Sequence, residues 1–236
     1  MIRALITSAF WVAWLIFGAL ISFPVTLITR RIDFLWKVAI FGSRAGIRIA
    51  GVKVLVEGRE NIDPSQPYLF MSNHVSNIDP PLLVPQLERQ ISVLAKIELF
   101  RIPIFGMAMR LGGFVPVNRG RREAAIESVR EAVRVLQSGR SMLVYPEGTR
   151  SPDGKLLPFK KGPFHLAMDA GVPILPITMI GLYEAWPKGK FKITPGTVTV
   201  IFHKPIDPKQ FDDRDRLMLA VRESIEAALP EKYRGA

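Results

Sequence analysis

An uncharged run of 25 residues near the amino terminus is the feature that most constrains the fold. Residues 4–28 (ALITSAFWVAWLIFGALISFPVTLI) contain no Asp, Glu, Lys or Arg. About 20 apolar residues suffice for a helix to cross a bilayer, so this run predicts a membrane-associated helix that Pro24 ends or kinks. A cleaved signal peptide would have an apolar centre of about 7–15 residues and a small-x-small cleavage site. Neither feature fits, and we therefore expect the run to be retained.

A second helix is predicted for residues 32–50. Its charged residues are spaced 4, 7 and 4 apart, which places them in one narrow stripe on a mostly apolar helix: Asp33, Lys37, Arg44 and Arg48. One interpretation is an interfacial helix at the headgroup level, where Arg30 and Arg31 add attraction to anionic lipid. The other is an ordinary amphipathic helix packed on the globular domain. Both interpretations place the rest of the chain at a membrane surface.

Composition and charge restrict the partners. The chain of 236 residues is long enough for one large α/β domain with an appendage, and the absence of cysteine excludes disulfides, thiolate metal sites and a cysteine nucleophile. A net charge of +11 predicts an anionic partner, and the apolar helices favour a phospholipid membrane over nucleic acid. Arginines are more frequent after the uncharged run than before it, which predicts a domain on the cytoplasmic face of a cell inner membrane.

From Gly51 onward, short β-rich runs alternate with helical ones. Several predicted strands are continuously apolar, as in a sheet covered on both faces; the strands are residues 52–58, 68–73, 91–96, 113–117, 141–145, 173–181 and 197–203. The clearest helices are residues 121–138 and 213–229. The pattern predicts an α/β domain over residues 51–236, with a largely parallel or mixed sheet flanked by helices. Residues 1–50 form a two-helix membrane-anchoring motif before it, and functional residues are expected at strand ends.

The first polar cluster is NHVSNID, residues 73–79, which directly follows an apolar strand. Five residues along a regular helix rotate by about 140°, so His74 and Asp79 can meet only across a turn or an irregular helix start. A carboxylate bound to one imidazole nitrogen fixes the tautomer and leaves the other nitrogen as a general base. The alternative is a helix cap beside a solvated histidine.

The second cluster is VYPEGTRS, residues 144–151, where a strand delivers four polar or small residues to a tight loop: Glu147, Gly148, Thr149 and Arg150. Glycine permits close approach of the backbone to a ligand, and arginine is a bidentate donor suited to phosphate. Glu147 could instead neutralise Arg150, and the loop could be a purely structural turn.

The third cluster, GGFVPVNRG, ends a strand at Arg119. The stretch from Lys96 to Arg122 contains one acidic residue, Glu98, and six basic ones: Lys96, Arg101, Arg110, Arg119, Arg121 and Arg122. This excess predicts an electropositive surface beside the same strand ends, with Lys96 among the substrate-binding candidates.

No Walker A, GxGxxG, HExxH or GxSxG motif is present, which leaves a base and phosphate-binding groups but no obvious protein nucleophile. This set suits direct attack by a substrate hydroxyl on an acyl carbonyl. Four blocks in order resemble the motifs of the glycerolipid acyltransferase family, above all its lysophosphatidic acid acyltransferases: NH-x4-D at 73–79, GFVPVNR at 113–119, PEGTRS at 146–151 and VPILPI at 172–177. With the segments at 96–106 and 159–167, the resemblance covers roughly residues 53–203.

The resemblance implies His74 as the general base and Asp79 as its partner. It implies that Arg119 and residues 147–150 bind the glycerol phosphate, and that residues 172–177 belong to the acyl site. It further implies an acyl-CoA or acyl-carrier-protein donor, a lysophospholipid acceptor, and neither a cofactor nor a metal. Asn118 replaces an acidic residue that many relatives carry there. Glycerol 3-phosphate or another lysophospholipid remains an alternative acceptor, and a basic membrane-surface adaptor is the non-enzyme alternative.

Overall fold

The computed structural model describes residues 1–118 and 122–235. Both predicted amino-terminal helices are present, as α1 (Ile2–Thr29) and α2 (Asp33–Ile49). Of the two predicted effects of Pro24, ending or kinking the first helix, the first does not occur, because α1 continues through it to Thr29. A proline removes only its own backbone N–H donor, and the hydroxyl of Thr29 supports the last turn by donating to the Val25 carbonyl at 2.7 Å.

Tryptophans of α1 lie on glycines of α2. The indole N–H of Trp11 donates to the Gly42 carbonyl at 3.2 Å, and that of Trp14 donates to the Val38 carbonyl at 3.0 Å. A Cβ added at Gly46 would lie 2.0 Å from the Trp11 indole nitrogen. The glycines therefore let the two antiparallel helices approach closely while both indoles stay hydrogen-bonded.

Seven strands form one mixed sheet in the order β1-β7-β6-β2-β5-β3-β4, all parallel to their neighbours except the β6–β7 pair. This confirms the predicted α/β class. The strands are β1 (Val52–Glu57), β2 (Leu69–Ser72), β3 (Ile91–Lys96), β4 (Val115–Val117), β5 (Ser141–Val144), β6 (Ile174–Ile180) and β7 (Gly196–Phe202). The remaining helices are α3 (Asp79–Leu83), α4 (Pro103–Leu111), α5 (Arg122–Gln137), α6 (Gly162–Ala170), α7 (Leu182–Ala185) and α8 (Arg214–Ala228).

Helices cover both faces of the sheet, as the continuously apolar strands require. In β2, Phe70 faces a core shared with α1, α2, α3 and α7, whereas Leu69 and Met71 face a core shared with α5, α6 and α8. This alternation is the two-residue period of a strand buried on both sides. Because Ala4 and Ile47 belong to the first core, the amino-terminal helices pack on the α/β domain. The second helix therefore packs on the globular domain, as one of its two interpretations predicts.

Candidate active site

The predicted site residues converge because four parallel strands end at the same sheet edge. β2 leads into His74, β5 leads into the loop that begins at Pro146, and β3 ends at Lys96. The register pairs Lys96 with Val117 at the end of β4. Arg119 lies two residues further on and outside the described residues. Carboxyl ends of neighbouring parallel strands are where α/β sheets place their ligands.

His74 and Asp79 are joined across the irregular turn that precedes α3. Asp79 Oδ2 lies 2.6 Å from His74 Nδ1 and also accepts the backbone N–H groups of Val75 at 2.7 Å and Ser76 at 2.9 Å. The Asp79 side chain is fully buried, whereas the His74 side chain is 18% exposed. The two amides and α3 fix the carboxylate, and the carboxylate in turn fixes the Nδ1–H tautomer of the imidazole.

The outer side of the imidazole is open for chemistry. Within residues 1–118 and 122–235, no group hydrogen-bonds His74 Nε2. One ring face is covered by Tyr145, whose ring stacks on the imidazole at 4.0 Å between centroids and 16° between planes. Burial, and then the charge of Asp79, raise the pKa of the Tyr145 phenol well above its usual range, so this neighbour stays neutral. The His74 imidazole is therefore fixed by Asp79 at Nδ1 and by Tyr145 on one ring face, while Nε2 is left on the accessible side.

The Glu147 carboxyl points into the protein and accepts hydrogen bonds from two backbone N–H groups. Its Oε1 accepts the N–H of His74 at 2.6 Å, and its Oε2 accepts the N–H of Leu157 at 2.9 Å. The residue is 1% exposed, and burial raises its pKa to about 8, against the opposing effect of those two amides. It forms no ion pair with Arg150 in the described part of the chain. The neutralising role considered for Glu147 is absent here, and its predicted role in substrate binding stays a prediction.

The rest of the second cluster faces the accessible side. Gly148 has φ 72°, a left-handed conformation that glycine adopts without strain, and it turns the loop back so that Thr149 is exposed and Arg150 half-exposed. The Ser151 N–H donates to the His74 carbonyl at 2.8 Å, which ties this loop to the histidine turn. The Arg150 guanidinium has no ion-pair or hydrogen-bond partner among the described residues, and such a cation is suited to an incoming anion.

Two other predicted groups, Lys96 and residues 172–177, form no hydrogen bond with the histidine turn among the residues that the structure describes. Lys96 is exposed at the end of β3 and lies 3.5 Å from the Glu98 carboxylate. Residues 172–177 mainly form β6, in the middle of the sheet, where core packing alone accounts for their apolar character. No group of three His, Asp or Glu side chains that could hold a metal occurs in the described residues.

Sequence reasoning overlooked two supports of the histidine turn. Tyr145 stacks on the ring, and the Ser76 hydroxyl donates to the Trp186 carbonyl at 2.6 Å, which anchors the turn to the segment after β6. Trp186 in turn stacks on Trp11 of α1, with 6.5 Å between ring centroids. The only signal in the sequence was the position of Tyr145 at the end of an apolar strand, directly before the PEGTRS segment.

These parts define an α/β protein with a His–Asp pair and a free arginine at the carboxyl edge of its sheet. The chain belongs to the Acyltransferase family, whose model matches residues 53–180. It is 37% identical over 186 residues to a 1-acyl-sn-glycerol-3-phosphate acyltransferase of Chlamydomonas reinhardtii, covering 78% of this chain and 55% of that protein. It is 33% identical over 221 residues to the alpha form of that enzyme in Mus musculus, covering 92% and 78%.

The first curated relatives are longer proteins, and the chain spans little more than half of their length, 55% and 57% in the first two. Among solved structures, the fold is similar to the 1-acyl-sn-glycerophosphate (LPA) acyltransferase PlsC from Thermotoga maritima. The TM-score is 0.83 at 32% sequence identity, and the match covers 96% of this chain and 94% of that one. The similarity to PlsC therefore includes the amino-terminal helices as well as the α/β domain.

Proposed function

We propose that this protein is a 1-acylglycerol-3-phosphate O-acyltransferase. It transfers a fatty acyl group from acyl-CoA or acyl-carrier protein to the sn-2 hydroxyl of lysophosphatidic acid, giving phosphatidic acid. The observation that carries the proposal is the oriented His74–Asp79 pair with Nε2 accessible, next to the unpaired Arg150. The relatives named above are 1-acyl-sn-glycerol-3-phosphate acyltransferases, and they supply the acceptor.

In the proposed reaction, His74 Nε2 takes the proton of the sn-2 hydroxyl as that oxygen attacks the thioester carbonyl. The new C–O bond forms, the C–S bond breaks, and the thiolate of the donor leaves with the proton returned by His74. Asp79 stabilises the imidazolium that exists between these two events. The substrate oxygen is the nucleophile, so neither an acyl-enzyme nor a cofactor or metal is required in this mechanism.

The phosphate of lysophosphatidic acid is assigned to the electropositive edge. Arg150 has a guanidinium free to form two parallel hydrogen bonds with phosphate oxygens, and Thr149 offers an exposed hydroxyl next to it. Arg119 is proposed as a second phosphate ligand on the strength of its motif. Lys96 contributes charge from the end of β3.

Residues 1–50 are proposed as the membrane anchor, and residues 51–236 as the catalytic domain on the cytoplasmic face of the inner membrane. α1 is long and apolar enough to cross a bilayer, and most of its large side chains are exposed in the structure. Each buried methylene is worth about 0.8 kcal/mol, so a site at the leaflet avoids drawing the acyl tail into water. Resistance of the full chain to carbonate extraction from membranes supports this placement, and its release into the soluble fraction contradicts it.

The direct test is product formation by the purified full chain in phospholipid vesicles. Lysophosphatidic acid, lysophosphatidylcholine and glycerol 3-phosphate are offered separately, each with acyl-CoA and with acyl-carrier protein. We expect phosphatidic acid from the first acceptor and much slower acylation of the other two. Preferred acylation of glycerol 3-phosphate would show that this compound is the acceptor. If no acceptor were acylated, the proposed activity would be wrong and the protein would be better described as a basic membrane-surface adaptor.

A further inference from the structure

Exposed apolar side chains outside α1 and α2 are concentrated in one place. Four large ones lie within nine residues of the segment between β3 and β4, each 37–47% exposed: Leu99, Ile102, Phe105 and Met107. In the described chain after residue 49, the other exposed large apolar residues are four isolated side chains: Leu55, Ile126, Phe191 and Leu219. Single apolar residues scattered over a surface are normal for a soluble protein, whereas several large ones exposed within one short segment indicate a binding surface. We call the first four residues the apolar patch.

The patch is presented by an ordered scaffold. Phe100 and Met109, on the opposite side of the same segment, are buried. The guanidinium of Arg110 donates to the Phe100 carbonyl at 2.7 Å, which ties α4 to the 3-10 turn before it. A Cβ added at Gly106 would lie 2.2 Å from that same carbonyl oxygen, so the turn and the helix are in close contact. The exposure of the patch is therefore a property of the packed structure.

Two observations indicate what covers the patch. First, α4 packs against α1, so the patch adjoins the long helix whose exposed side chains are almost all apolar. Second, the segment that carries the patch holds the exposed cations Lys96, Arg101 and Arg110, and within residues 96–111 Glu98 is its one acidic residue. An apolar surface with cations in the same segment is the pattern of an element in the interface of an anionic lipid leaflet.

We propose that the apolar patch enters the same lipid leaflet as α1, with Arg101 and Arg110 at the level of the lipid phosphates. This inference rests on the membrane placement in the proposed function and extends it to a second insertion element. The segment begins directly after Lys96, at the sheet edge that carries His74. Insertion of the patch holds that edge at headgroup level, so that a lipid acceptor reaches the site laterally from the leaflet.

The natural absence of cysteine makes a direct test possible with the full chain. Leu99→Cys and Phe105→Cys each provide one labelling position in the patch for the fluorophore NBD. Leu219→Cys is the matched control, because it is an equally apolar residue, 54% exposed, on α8 at the other face of the sheet. Each labelled protein is bound to vesicles of phosphatidylglycerol and phosphatidylethanolamine, and binding is verified by flotation.

We expect NBD at positions 99 and 105 to shift to the blue, to brighten several-fold, and to be quenched by nitroxides on lipid acyl chains. NBD at position 219 should remain in water and be quenched by aqueous iodide. Patch labels that stay accessible to iodide on vesicle-bound protein would overturn the inference, as would failure of the full chain to bind the vesicles. Protection that needs no lipid and grows with protein concentration would assign the patch to a second copy instead. These readouts do not involve phosphatidic acid formation, so the failure of either proposal is recognised separately.

Discussion

At the residue scale, the backbone of His74 is held from both sides by the loop that follows β5. Its N–H donates to Glu147, and its carbonyl accepts from Ser151. The ring position is therefore set by the backbone of a neighbouring strand as well as by Asp79. The two backbone N–H groups that Glu147 accepts offset part of the cost of burying its carboxyl group.

The raised pKa of Glu147 makes stability depend on pH. Between the usual pKa of 4.5 and the raised pKa of about 8, the Glu147 carboxyl is protonated in the folded protein and ionised in the unfolded chain. The folded state therefore loses stability as the pH rises through this range. Glu147→Gln cannot ionise. We expect the unfolding midpoint of wild type, relative to this variant, to fall as pH is raised from about 5 to about 8.

Thermal unfolding in detergent, monitored by circular dichroism, measures this difference. Glu223→Gln, on the exposed face of α8, is the control, and its offset from wild type should stay constant across the same range. A constant offset for Glu147→Gln as well would mean that the carboxyl is not protonated in the folded protein at neutral pH.

Arg150→Ala should chiefly raise the apparent KM for lysophosphatidic acid, because the unpaired guanidinium is assigned to the substrate phosphate in both ground and transition states. Arg216→Ala, an exposed arginine on α8, is the charge-matched control and should leave the KM unchanged. Steady-state kinetics with each substrate varied in turn separates the outcomes. A raised KM for the acyl donor alone would reverse the assignment.

The sequence predicted the site residues but not their orientations. The pairing of Asp79 with His74 was implied by the family resemblance, since spacing alone left a helix cap as the alternative. The placement of residues 147–150 at a strand end follows from the apolar run that precedes them. The inward direction of Glu147 does not, because a loop around a glycine with positive φ can point the preceding side chain either way. The stack of Tyr145 on His74 depends on β2 and β5 being neighbours, and nothing local in the sequence specifies that order.

At the scale of elements, all seven strands lie within two residues of their predicted bounds. The reason is physical: strands buried on both faces are continuous apolar runs, and their ends are marked by glycine, proline and polar residues. Sheet order was not predictable in the same way, because it is decided by long-range packing. The antiparallel β6–β7 pair is an example, since the segment between these strands contains only the short helix α7 in place of a long crossover.

The pairing of α1 with α2 depends on glycine at position 46. Glycine to alanine inside a helix normally adds about 1 kcal/mol of stability. At Gly46 the new Cβ would meet the indole of Trp11, which is confined by its stack on Trp186 and its hydrogen bond to the Gly42 carbonyl. We therefore expect Gly46→Ala to destabilise the protein by about 1–3 kcal/mol.

The unfolding midpoint checks this expectation. Gly196→Ala is the control, because a Cβ at the start of β7 would meet nothing within 4 Å. The control should be neutral or slightly stabilising. Equal behaviour of the two variants would show that Trp11 can move aside and that close helix approach does not require this glycine.

At the scale of the whole molecule, the amino-terminal helices and the site form one connected structure. Trp11 of α1 stacks on Trp186, and the Trp186 carbonyl accepts the hydroxyl of Ser76 in the histidine turn. The amphipathic stripe in residues 32–50 was compatible with a free interfacial helix or a packed one. Only the tertiary structure decides this, because both arrangements need the same sequence period.

The central claim is that His74 is the base in acyl transfer to lysophosphatidic acid. The most direct measurement is the initial rate of phosphatidic acid formation in vesicles by wild type, His74→Ala and His165→Ala. His165 is an exposed histidine on α6, 2.6 Å from the Arg214 guanidinium, and serves as the matched control. We expect turnover to fall about 10²–10⁴-fold for His74→Ala, with unchanged circular dichroism, and to stay at the wild-type level for His165→Ala. Turnover by His74→Ala within a few-fold of wild type would contradict the mechanism.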